Sequence, residues 1–279
     1  MLHQVSGDIQ WFQFASFAPF DKWLTHGMFA RTGGVSPSPY ASLNGGLSSG
    51  DDPEWVTANR LQMSRLLPGQ PTLTSTIPVH GNSVVFVTKD DLTRFEVGNF
   101  VVPGKSDALI TQLPGIGLFW AYADCTPVMI VDPVHTAIAL VHAGWRGTSG
   151  AVTIATLQAM ADQYGTRPED VHIGIGPSIG PCCYEVDAPV YNAFANNPIA
   201  SQHMTFSTVT VTVADGTPRE SMRLDVAAAN VGQLLSAGVP AERIETCTEF
   251  CTGCRTDLFF SHRMENSLTG RHGVAIGLL

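Results

Sequence analysis

Two apolar runs separated by a four-residue break do most to limit what this chain can fold into. VMIV (128–131) and TAIALV (136–141) flank DPVH (132–135), which reads as two buried strands joined by a tight turn. Just outside the runs sit Cys125 and His142, where a buried strand pair would ordinarily carry more apolar residues. A turn centred between Pro133 and Val134 makes Cys125 and His142 cross-strand partners. Directly opposed residues hold their Cβ atoms about 4.5–5.5 Å apart. That is close enough for an imidazolium to lower the thiol pKa. It also lets one metal ion bind both, since Zn–S is about 2.3 Å and Zn–N about 2.0–2.1 Å. The plain alternative is a buried free cysteine beside an unrelated histidine.

The rest of the chain can support such a core. Of 279 residues, 44% are hydrophobic and only 14% charged, the balance of a folded domain and not of a disordered polymer. Fifteen basic residues against 24 acidic ones give a net charge of −9 with no Lys/Arg-rich run, which argues against nucleic-acid binding. An anionic small substrate remains compatible, because one arginine cluster overrides net charge locally. The segment MLHQVSGDIQWFQF lacks the pattern of a secretory signal, and no apolar run approaches the roughly 20 residues of a membrane span. Six cysteines, two adjacent (Cys182, Cys183) and three clustered (Cys247, Cys251, Cys254), do not resemble a disulfide framework. A cytoplasmic location is the expectation.

Three helices announce themselves. Asp52 caps and Pro53 opens one that Pro68-Gly69 stops. GAVTIATLQAMADQYG (150–165) presents Ile154, Leu157, Ala161 and Tyr164 on one face and ends at Gly165. RLDVAAANVGQLLSAGV (223–239) is closed by Gly238. Strand-like runs are HGMFA, NSVVFVT, DALIT, GIGLFWAY, the hairpin arms, DVHIGIG and RHGVAIGLL. They cluster instead of alternating with helices, which favours an α+β fold. Residues 31–52, rich in Gly, Ser and Pro, are long for an idle connector. With no domain boundary visible, the expectation is one domain over 1–279.

Several motifs compete for chemistry. GPSIG (176–180) fits a nucleophile elbow, and Ser178, Asp257 and His262 or His272 follow in hydrolase order. Regular βα alternation is missing, however, so a glycine-rich turn is the better reading. Cys247, Cys251 and Cys254 form C-x3-C-x2-C, read as unligated thiols or a structural zinc site before an iron–sulfur one. His80, directly before a strand, completes a two-His, one-Cys set with Cys125 and His142 and leaves a fourth position open. Arg146, four residues past His142 and bracketed by Gly144 and Gly147, suits bidentate phosphate binding or stacking on Trp145. Arg31 sits similarly beside glycines, and Asn44 in SLNGG is a candidate binding or turn residue.

Taken together, HGMFARTGGVS, SLNGG, VHGNSV, SDALIT, DCTPVMIVDP, VHAGWRG, IGPSIGPCCYEV, LDVAAAN, FFSHR and TGR resemble the YfiH-like family. Its members are called laccase-domain or multicopper polyphenol oxidase proteins, and also purine nucleoside phosphorylases. The resemblance implies an α/β/β/α sandwich of mixed sheets flanked by helices. It implies metal ligation by His80, Cys125 and His142, with zinc the usual occupant and copper also claimed. It further implies phosphorolysis of adenosine, inosine and methylthioadenosine, with adenosine deamination. On that reading Cys125, His142 and Asp124 are the candidate catalytic residues, and Arg31, Asn44 and Arg146 the candidate substrate and phosphate ligands. A monomer or small homo-oligomer would bind purine nucleosides and phosphate, with neither nucleic acid nor membrane as partner. A copper-dependent phenol oxidase, a Cys–His hydrolase or deamidase and a non-enzymatic metal-binding module are the alternatives. The chain departs from the family pattern at Pro78, where Gln is usual, at His262, where Tyr is usual, and in its extra cysteines.

Overall fold

The computed structural model describes residues 1–92, 101–213, 215–247 and 249–279. The hairpin is present as strands Thr126–Asp132 and Ala137–Ala143, and every residue of both is buried. Their continuous apolar runs are explained by cover on two sides. On one face Met129, Val131, Ile138 and Leu140 meet Leu118, Trp120, Val274 and Ile276 of a second sheet. On the other, Val128, Ile130, Ala137, Ala139 and Val141 meet Val152, Leu157, Met160 and Leu234. Each large apolar side chain among these contributes about 1.5–3 kcal/mol by leaving water.

The hairpin belongs to a six-stranded mixed sheet in the order Ile244–Thr246, His172–Ile175, Thr126–Asp132, Ala137–Ala143, Ala108–Thr111, Val84–Phe86. The facing seven-stranded sheet runs Leu2–Ser6, Ile9–Gln13, Leu24–Phe29, His272–Leu278, Ile116–Tyr122, Thr72–Ile77, Val101–Lys105. Helices Val152–Tyr164 and Val226–Ser236 cover the outer face of the first. Helix Pro53–Leu66 covers the second through Met63, against Leu73 and Phe119. The result is the expected α+β sandwich of helix, sheet, sheet and helix. A third sheet, Glu185–Val186, Pro218–Leu224 and Phe206–Thr212, adds to the strand-like runs of the sequence. None of the described helices is long and apolar enough to cross a membrane.

Local signals account for the helix ends. The Asp52 carboxylate accepts from the Glu54 amide, and Gly165 takes the left-handed conformation (φ 77°) that ends the second helix. That helix is rotated from expectation. Its buried face carries Val152, Thr153, Thr156, Leu157 and Met160, while Ile154, Ala161 and Tyr164 are half-buried. The threonines are tolerated inside because the Thr153 hydroxyl donates to Asn230 Oδ1 (2.7 Å) and the Thr156 hydroxyl to Val152 O (2.8 Å).

The hairpin register also differs. Ala137 pairs with Asp132 and His142 with Pro127, so the register continues to place Cys125 opposite Gly144 instead of His142. The turn runs through Thr136, whose φ of 51° adds a residue beyond DPVH. The displacement is even in residue count, so the face is preserved: Cys125 stays with Met129 and Val131, and His142 with Ile138 and Leu140. Both therefore point between the two sheets.

Candidate metal centre and substrate cavity

His80, Cys125 and His142 converge, with ligand atoms all within 4.8 Å of one another. Each is held by a different device. His142 lies on the buried arm of the hairpin. Cys125 precedes the other arm and follows Asp124, whose φ of 85° is costly for a residue with a Cβ. Three donors hold that conformation. Asp124 accepts from Thr252 Oγ1 (2.6 Å) and Ser261 Oγ (2.8 Å) at one oxygen, and from the Arg263 amide (2.7 Å) at the other. Its carbonyl also accepts from the Ile179 amide (3.0 Å).

His80 has positive φ as well (58°), and a carboxylate fixes it. Asp107, fully buried, accepts from the amides of Val79 (3.0 Å), His80 (2.6 Å) and Gly81 (2.8 Å). Its carbonyl accepts from the His142 amide (2.8 Å). One residue thus sets the backbone of two candidate ligands. The SDALIT motif contains Asp107, but nothing in the spacing discloses this contact.

The three side chains fit a metal ion. His142 Nδ1 is buried without a hydrogen-bond partner, an uncommon cost unless something binds it. Gly144 leaves room for the thiol, since a Cβ there would stand 2.9 Å from Cys125 Sγ. Burial, and next Asp124, push the Cys125 thiol up to about 12, while burial and His80 push His142 down to about 3. Both groups are consequently neutral without a cation, the opposite of a thiolate–imidazolium pair. A divalent cation reverses that balance.

Two lobes open from this point. The smaller, about 300 Å³, is lined by Asp124, Trp145, Arg146, Tyr184 and Arg263, among others. The larger, about 560 Å³, is lined by Leu47, Arg60, Ile77, Pro78, Trp120 and Arg271, among others. His80, Ala123, Cys125 and His262 border both. Arg146 stacks on Trp145 (4.2 Å) and Arg263 on Tyr184 (5.0 Å). Among the described residues, no carboxylate forms a salt bridge with Arg60, Arg146, Arg263 or Arg271. Arg60, buried over Phe119 and bonded to Gly45 O (2.7 Å), is pushed down to about 9 by burial.

Two candidate binding residues lie elsewhere. Arg31 donates to Thr256 O (2.7 Å), pairs with Glu265 (3.0 Å), stacks on Phe260 and lines neither lobe. Asn44 is fully buried, and its side chain donates to Ser49 and Asp51 and accepts from the amides of Gly46 and Arg271. It shapes the 31–52 connector, which Asn59 also ties down through Ser36, Ser42 and Asn44, so that Leu47 and Ser48 reach the larger lobe. No hydrolase triad assembles among the described residues. Asp257 pairs with Arg255, both ring nitrogens of His272 lack partners, and Ser178 bridges to Cys251. The residues that sequence spacing misses, Arg60, Asp107, Arg263 and Arg271, act across long separations.

Comparison with known proteins identifies the family of the chain. The chain matches the family model described as multi-copper polyphenol oxidoreductase laccase over residues 25–279. It is 37% identical over 255 residues to a protein of Geobacillus stearothermophilus named purine nucleoside phosphorylase YlmD, covering 90% of this chain and 89% of that one. It is 34% identical over 257 residues to a purine nucleoside phosphorylase of Bacteroides thetaiotaomicron, covering 89% of each. The crystal structure of the Bacillus licheniformis hypothetical protein YfiH superimposes with a TM-score of 0.83 at 29% identity, covering 99% of both chains. On the order of its motifs, the sandwich and these matches, the chain belongs to the YfiH-like, laccase-domain family.

Proposed function

We propose that this protein is a purine nucleoside phosphorylase that converts adenosine, inosine or methylthioadenosine, with phosphate, to free base and the ribose 1-phosphate or its methylthio analogue. Adenosine deamination is its second activity. The observation that carries the reading is a pair of cavities of unequal size and character meeting at His80 and Cys125. Phosphorolysis needs two occupants to meet at one carbon. The C1′–N9 bond breaks, a phosphate oxygen bonds to C1′, and the base takes up a proton. The larger lobe, walled by Leu47, Ile77, Pro78 and Trp120, suits the nucleoside. The smaller one presents Arg146 and Arg263, and the Arg146 fork suits phosphate.

Zinc is the ion we assign to His80, Cys125 and His142, where it would supply a Lewis acid at the junction of the lobes. The protein's own groups hold the geometry around it. Asp107 fixes His80, and Asp124 fixes Cys125 while its carboxylate oxygens are taken by three donors. A copper phenol oxidase fits less well. Multicopper chemistry needs several ligand sets, and a single copper held by one cysteine and two histidines commonly adds an axial methionine. Among the described residues no methionine lines either lobe.

The test is chromatography of adenosine incubated with and without phosphate, comparing wild type with Cys125→Ala. Phosphate-dependent release of adenine and ribose 1-phosphate by wild type alone is expected. Base release that ignores phosphate would make the protein a nucleosidase, and copper-dependent phenol oxidation without nucleoside turnover would sink the proposal.

A further inference from the structure

The C-x3-C-x2-C spacing points to Cys247, Cys251 and Cys254 as a group, and the structure regroups them. Cys247 is buried apart. Cys251 and Cys254 are instead joined by Cys182 and Cys183, with the four sulfurs all within 4.8 Å of one another. Cys254 Sγ lies 3.5 Å from Cys182 Sγ and 3.4 Å from Cys183 Sγ. These separations exceed the roughly 2.05 Å of a disulfide. They are near the edge of a tetrahedron whose centre stands about 2.3 Å from each sulfur, roughly 3.8 Å. A polynuclear iron–sulfur cluster would hold its thiolates farther apart than that.

The surrounding backbone is shaped for a single ion. Cys251-Thr252-Gly253-Cys254 forms a tight turn in which the amides of Cys254 (3.1 Å) and Arg255 (2.9 Å) donate to Cys251 O. The Gly180 amide donates to Cys251 Sγ at 3.1 Å, the N–H···S contact that stabilises a thiolate. Across the gap, the amides of Cys183 and Tyr184 donate to Gly180 O, which turns Cys182 and Cys183 inward. A Cβ at Gly253 would stand 2.8 Å from Cys183 Cβ and 3.1 Å from its sulfur, so the glycine keeps the thiols together. Cys182 and Cys254 are exposed, leaving a path for an ion from solvent.

We propose that Cys182, Cys183, Cys251 and Cys254 bind a second zinc ion in a closed tetrathiolate site. Four protein ligands leave no position for substrate, so its role is structural. Its binding displaces the thiol protons into solvent. What it braces is visible in the contacts. Thr252, between two of the ligands, donates to Asp124, and Ser178 and Ile179 connect the same turns to Cys251 and Asp124. The second ion thereby fixes the wall behind Cys125.

The experiment is elemental analysis and native mass spectrometry of full-length protein purified without added metal. Wild type should carry two zinc ions per chain, Cys254→Ser one, His142→Ala one, and the double variant none. One zinc in wild type, lost with His142→Ala and kept in Cys254→Ser, would overturn the second site while leaving the first intact. Iron in place of zinc, or a disulfide joining Cys254 to Cys182 or Cys183, would also overturn it. Differential alkylation of wild type covers the case in which Cys254→Ser does not fold. All four thiols should be protected until a chelator is added and then react together, and steady labelling of Cys182 and Cys254 beforehand would refute the site.

Discussion

Asp107→Asn isolates what one buried carboxylate does for the metal centre. The substitution keeps size and one acceptor oxygen, so the bonds from Val79 and His80 can persist. The new amide nitrogen must then face the Gly81 amide, which now donates to Asp107 at 2.8 Å. One charge-assisted bond is replaced by two opposed donors, at a cost of about 1.5–3 kcal/mol. Part of that cost falls on global stability. At about 2–4 °C per kcal/mol for a chain approaching this size, the full cost would lower Tm by roughly 3–12 °C, so the share borne by global stability should give a drop below about 12 °C. The rest falls on the strained His80 backbone, which relaxes from its positive φ and withdraws one ligand. Groups that orient metal ligands commonly cost about 10–100-fold in affinity when altered. A competition titration against a chromophoric chelator measures the zinc affinity, and differential scanning calorimetry measures Tm. Wild-type affinity in a variant with lowered Tm would refute the reasoning, because it would mean that Asp107 supports the fold without positioning His80.

Arg146→Lys should lower kcat/KM for phosphate by about 10–100-fold, since an ammonium lacks the planar fork; adenosine deamination should change little, and equal loss of both would place Arg146 in the common pocket. Metal-free protein should alkylate slowly at Cys125 near neutral pH, because burial holds that thiol up at about 12; fast labelling at pH 7 would restore the thiolate–imidazolium reading. Stability should fall as pH drops from about 6.5 toward 4. Burial depresses His26 to about 4 and His272 to about 3, so the unfolded chain takes up their protons first. For His26 the native role requires the neutral ring, whose Nε2 accepts from the Phe14 amide (2.8 Å). Tm measured across that range should decline less steeply in His272→Phe, and identical slopes would count against the assignment.

How far the sequence discloses the site depends on the range of the interaction. Parity along a strand is local, so the runs around DPVH correctly put Cys125 and His142 on one face. Register is not local in the same way, because it hangs on Thr136 adopting a left-handed conformation that the sequence does not advertise. The helix 152–164 is legible but its buried face is not, since its inward threonines are satisfied partly by Asn230, 77 positions from Thr153. The cysteines carry the same lesson. A spacing rule groups Cys247 with Cys251 and Cys254, while folding brings in residues about 70 positions earlier. Pro78 and His262, both departures from the family pattern, border the larger lobe, where they can alter substrate choice.

Gly144 has a consequence for how this protein can drift. It donates nothing to an ion, yet any side chain there collides with the Cys125 sulfur, so a substitution scan would rank it beside the ligands. The constraint runs in one direction. While Cys125 is present, Gly144→Ala displaces the thiol. Once Cys125 is replaced by glycine, the obstruction goes and position 144 is free to take a methyl group. A descendant that loses its chemistry is therefore expected to lose the cysteine first and the glycine second, with the sandwich still folded. An alanine at 144 beside a small residue at 125 would be the mark of a retired site.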